Sequence, residues 1–162
     1  MRVIKPPEPL PDNVDLFLSG SMEALLWQDR VVARLEYLRT ILPHATDVVI
    51  ANPRRDDWDN TWTSRPFFAP FREQVTWELD GLERARLVAV YFAPETKAPI
   101  TLLELGLCAS KHADVIVCCP VEYWKVGNVE MVSMRYGMQF YDHFDNFVER
   151  ISMELWGSTL VA

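Results

Sequence analysis

The feature that most constrains this chain is an alternation: short apolar runs that read as buried strands take turns with segments whose apolar residues recur at helical spacing. "VDLFLSG" (14–20), "TDVVIANP" (46–53), "RLVAVYFAP" (86–94) and "ADVIVCCP" (113–120) are nearly continuous in apolar residues, the pattern of strands covered on both faces. Between and after them, "EALLWQDRVVARLEYLRTIL" (23–42), "FREQVTWELDGLERA" (71–85), residues 99–111 and "FDNFVERISMELW" (144–156) carry helical periodicity, and a shorter apolar stretch lies near 137–141. Strands that alternate with helices at this spacing imply a parallel sheet with helices on both faces. The leader "MRVIKPPEPLPDN" is Pro-rich and reads as an extended N-terminal arm, residues 1–13, before one domain over 14–162. A chain of 162 residues, 49% of them apolar, suits a single core rather than two.

In such a sheet, ligands bind beyond the carboxyl ends of the strands, where the strand order reverses. The loops to inspect are therefore 19–21, 52–59, 93–100 and 120–128. None has the glycine pattern of a dinucleotide fingerprint or a phosphate loop, so no such cofactor is expected. They offer carboxylates and aromatics instead, which suit a flat ring and a sugar. A net charge of −7 and a pI near 4.9 weigh against nucleic acid or an anionic membrane as partner, and point to small molecules. No run reaches the roughly 18 apolar residues a membrane helix needs, and the N-terminus lacks an apolar signal core. With Cys108, Cys118 and Cys119 reading as reduced core thiols, the expected compartment is the cytoplasm. His44, His112 and His143 are scattered and give no metal site.

One residue stands out within "ITLLELGLCAS" (100–110). If Pro99 starts a helix, steps of 100° per residue place Glu104 on the side of Ile100, Leu107 and Cys108, so its carboxylate projects from an apolar face. An ionised group taken out of water needs compensating partners, or a cavity that a ligand fills.

Taken together, "FLSGS", "QVTWELDGLERARLVAVYFAPE", "APITLLELGLCAS" and the "GNV" at 127–129 resemble the nucleoside 2-deoxyribosyltransferase family, from about residue 14 to 135. The resemblance implies a flavodoxin-like, Rossmann-like α/β sandwich of three layers on a five-stranded parallel sheet. It implies that Glu104 attacks the anomeric carbon, that Glu78 protonates the leaving base, and that Asn128, given across a subunit interface, binds the 5′ end of the sugar. The reaction so implied is transfer of a deoxyribosyl group between nucleobases through a glycosyl-glutamate, without cofactor or metal, in a homodimer or an assembly of dimers. Hydrolysis of the same bond, or binding of a nucleoside or nucleotide without turnover, are the alternatives. Three positions depart from the family pattern. The tyrosine on strand one falls at Phe17, the acid six residues before the nucleophile falls at Ala98, and Glu78 stands where Asp is common. Glu95, in the same loop as Ala98, is the candidate substitute.

The bond to be broken makes a pair of carboxylates reasonable, one to attack and one to donate a proton. Near a helix N-terminus Glu104 is expected to favour the ionised form, whereas Glu78 needs a raised pKa. Ser19, Gly20 and Ser21 offer amides and hydroxyls to the sugar or a 5′-phosphate, or else form an ordinary strand-to-helix turn. Arg54, Asp57 and Trp58 are candidates to contact the base; the alternative is surface pairing of Arg54 and Arg55 with Asp56, Asp57 and Asp59. Tyr123, Trp124, Val126, Val129, Met131, Met134 and Tyr136 have the composition of a subunit contact.

Overall fold

The computed structural model describes residues 1–22, 26–110 and 114–157. In chain order the elements are β1 (Arg2–Ile4), β2 (Val14–Gly20), α1 (Trp27–Ile41), β3 (Val49–Ala51), α2 (Ala69–Arg84), β4 (Ala85–Tyr91), α3 (Pro99–Ala109), β5 (Asp114–Cys118), α4 (Val126–Tyr136), β6 (Gln139–Tyr141) and α5 (Phe144–Trp156). The strands form one wholly parallel sheet in the order β1-β3-β2-β4-β5-β6. From β2 the chain steps outward to β3, then returns past β2 to β4, β5 and β6. The order reverses between β2 and β4, where Ser19 lies beside Val90 and Gly20 beside Tyr91.

Period-two alternation divides the core. Leu16, Leu18, Ile50, Leu87 and Ile116 pack with Val31 and Leu35 of α1 and Ile151 of α5. Phe17, Val88, Val90, Val115 and Val117 pack on the other side with Trp77 of α2, Leu105 of α3 and Val129 of α4. The result is the three-layer, flavodoxin-like sandwich.

Four details differ from the expectation. The sheet has six strands, not five, because Arg2–Ile4 is an edge strand on β3 with Ile4 fully buried. The rest of the leader is not a free extended arm: it turns at residues 6–8, where the Glu8 amide donates to the Lys5 carbonyl at 2.9 Å, and it is tied down, since Trp77 donates to the Glu8 carbonyl at 2.8 Å and Arg84 to that of Leu10 at 3.1 Å. The first long helix begins at Trp27, after Leu26 in the left-handed region (φ 48); its expected first residues, 23–25, lie outside the described residues, as does residue 113, the expected start of β5. Residues 126–136 form a helix, α4, ended by Gly137 at φ 69. Within it Met131, Met134 and Tyr136 are exposed while Val129 is in the core, as is Tyr123 just before it, so those two do not belong to an outward-facing patch. The three cysteines are buried and form no disulfide among the described residues. Among the described residues no helix is long and apolar enough to cross a membrane.

Candidate active site

The site grows from the reversal point of the sheet. β2 and β4 end side by side, and the loops that leave them are joined: the Ser21 and Thr96 hydroxyls lie 2.8 Å apart, and the Ser21 hydroxyl accepts from the Ala93 amide at 3.2 Å. Ser21 is thus spent on linking the two loops. Gly20 serves close approach, since a Cβ there would stand 2.5 Å from the Tyr91 carbonyl oxygen and 2.7 Å from the Trp27 ring. The β4 loop then feeds α3 through Ala98, whose φ is 43, with Pro99 as the first helical residue.

Glu104 lies on the flank of α3, beside a buried stripe of Thr101, Leu105 and Cys108. Ile100, expected on its face, is exposed instead. Ser19, on the same side of β2 as Phe17, donates its hydroxyl to Glu104 Oε2 at 2.7 Å. Burial pushes the Glu104 carboxyl up to about 7; the Ser19 hydrogen bond opposes this, and the charge of Glu78 adds to it. The expected bias to the ionised form fails because Glu104 lies in the second turn, where the influence of the helix end has faded and desolvation dominates. Glu78, on α2, is also held above the usual carboxylate range by burial, against a hydrogen bond of 2.8 Å that Gln74 Nε2 donates to its Oε1. Two carboxylates from different helices therefore sense one another in a poorly solvated place, with one hydrogen-bond donor each.

The family profile described as "Nucleoside 2-deoxyribosyltransferase like" matches residues 13–123, which hold both carboxylates, Ser19 and both joined loops. The chain belongs to the nucleoside 2-deoxyribosyltransferase-like family. Membership supports a general nucleoside-transfer role. A crystal structure of a conserved protein from Enterococcus faecalis shares the fold, with a TM-score of 0.61 over 88% of this chain and 99% of its own at 9% identity. No protein of curated function matches the sequence.

Within this nucleoside 2-deoxyribosyltransferase-like domain the other candidate residues fare differently. Asp57 is committed to Arg55, which reaches its carboxylate at 2.6 Å, Glu73 at 2.9 Å and the face of Trp62 at 5.0 Å, so surface pairing describes Asp57 better than base contact. Arg54 donates to the Met22 carbonyl at 3.3 Å, which spans the loops after β3 and β2. Trp58 is exposed and stacks on Trp62, with centroids 5.1 Å apart. Glu95 is exposed and has no hydrogen bond to Glu104. Asn128 is exposed on the first turn of α4 rather than in a loop. Two cavities, about 460 Å³ between Leu10 and α2 and about 510 Å³ between α1 and α5, include none of Ser19, Glu78 or Glu104. Gln74 is a site residue that the sequence signals only by its position one turn before Glu78, the spacing at which helical side chains meet.

Proposed function

We propose that the protein cleaves the N-glycosidic bond of a deoxynucleoside and passes the deoxyribosyl group to a second nucleobase. The observation that carries this is the pairing of Glu104, held by Ser19, with Glu78, whose charge it senses. An ionised Glu104 oxygen attacks C1′; the bond from C1′ to the base nitrogen breaks, its electrons leave with the base, and Glu78 gives that base a proton. In the second half an incoming base attacks C1′, the bond to Glu104 breaks, and Glu78 takes the proton back. Phe17 has no hydroxyl to steady the nucleophile, and Ser19, two residues on along the same face, supplies one. Incubation with a deoxynucleoside, with and without a second free base, tests the reading. New nucleoside is the expected product; free base alone would mean hydrolysis, and no reaction despite measurable nucleoside affinity would mean a binding protein.

The working unit in this reading is at least a dimer. Asn128 is exposed on α4 beside Trp124, Met131 and Met134, and Ile100 and Leu103 on the adjacent α3 are each 61% exposed. A second copy covering this face would remove apolar surface from water and bring its Asn128 to a neighbour's sugar.

A further inference from the structure

Gln74 has 3% of its surface exposed, and its amide nitrogen is fully engaged. Nε2 donates to the Pro53 carbonyl oxygen at 2.9 Å and to Glu78 Oε1 at 2.8 Å, while Oε1 of the same amide is buried without a partner. Both neighbours of Nε2 are acceptors. Turning the amide over would set its oxygen against the Pro53 carbonyl and the Glu78 carboxylate, so only one orientation is compatible with this surrounding. Glu78 Oε1 consequently always faces an N–H. A proton on Glu78 has to reside on the other oxygen.

We propose that Gln74 is a positioning residue for Glu78: pinned by the Pro53 carbonyl, its amide occupies Oε1 and leaves Oε2 as the oxygen that hands a proton to the departing base and receives one back. The inference rests on the reading of Glu78 as the acid, and adds to it which oxygen acts and what holds it. Ser19 differs in kind, because a hydroxyl can turn to donate to Glu104 when ionised or accept from it when protonated. Gln74 cannot reverse, so its hydrogen bond favours the ionised form of Glu78 and moderates the effect of burial. The charged group facing Glu78 from another helix is Glu104 of α3. On the loop after β3, Arg54 is turned to the Met22 carbonyl and Arg55 to Asp57 and Glu73 of α2.

The test begins on the unaltered protein, free of substrate. In a pH titration followed by NMR, the Gln74 side-chain amide protons should shift with the same midpoint as the Glu78 carboxyl carbon. In Gln74→Met, which keeps length but has no amide, that midpoint should rise by about half to one pH unit, since a donor favouring the ionised form is gone. The basic limb of the base-release profile should rise with it, because the proton persists on Glu78 to higher pH, and the rate loss should be largest for poor leaving bases. A Gln74 amide that ignores the titration of Glu78 overturns the proposal even if the variant fails to fold. So does a variant with a uniformly lower rate and an unmoved limb, which is the mark of a merely structural role. Coupled titration in a protein that releases no base from any nucleoside would sink the functional reading and leave the positioning intact.

Discussion

At the scale of single residues, Glu104 sets two opposing demands. In the proposed role of nucleophile it must be ionised, yet burial pushes its pKa up to about 7, so base release should fall as pH drops below about 7. Ser19→Ala removes the hydrogen bond that favours the ionised form; the acidic limb should move up by about one pH unit, the equivalent of a hydrogen bond of about 1.4 kcal/mol, and the rate at pH 7 should drop roughly fivefold. Glu104→Gln should abolish base release while the fold remains, because an amide keeps the shape and is a poor nucleophile. Its effect on stability has a defined sign. The folded pKa lies above the ordinary value of 4.5, so below about 4.5 the carboxyl is protonated whether folded or not, and that favourable term is lost as pH rises through 7. Thermal melts should show the variant's advantage over the parent growing from pH 4.5 to 7.5, to an order of 1–3 kcal/mol. An advantage over the parent that is no greater at pH 7.5 than at pH 4.5 would contradict the burial argument.

At the scale of elements, the placement of Glu78 depends on how closely α2 approaches β2. Gly81 lies directly over Phe17: a Cβ on it would be 2.4 Å from the Phe17 ring. Gly81→Ala should therefore force the helix or the ring aside and cost about 1–3 kcal/mol of stability in denaturant melts. The displacement would move Glu78, three residues earlier on the same helix, away from Glu104. Base release should fall more for poor leaving bases than for activated ones, and unchanged kinetics with unchanged melting would show that the contact relaxes freely.

At the scale of the whole molecule, the prediction concerns assembly. If the exposed face of α3 and α4 seats a second copy, sedimentation over a dilution series should show dissociation, with activity falling in step. Met131→Asp, which places a charge in that face, should shift the equilibrium to monomer without altering the thermal transition of the protomer by more than about 0.5 kcal/mol, as for ordinary surface changes. Mixing inactive Glu104→Gln with Asn128→Ala protein should then regenerate some sites holding both residues. A fully active monomer would defeat the shared site, and the lack of rescue after demonstrated subunit exchange would defeat a role for Asn128 in trans.

Local pattern alone determined the parallel sheet, the alternation of its strands with helices and Glu104 as an oddly placed acid, because a buried strand and an amphipathic helix each leave a mark within a dozen residues. It also carried the family resemblance, since those motifs are contiguous. Only the tertiary structure decided what depends on distant partners. Arg2–Ile4 is a strand because β3 offers an unpaired edge, and α4 was illegible because half its apolar residues face outward and break the stripe a helix ordinarily shows. The same holds at the site: Ser19 and Glu104 are 85 residues apart in the chain, so no spacing rule joins them. Nor could spacing show that desolvation, a property of everything packed around a group rather than of its neighbours in sequence, outweighs the helix end and raises the Glu104 pKa.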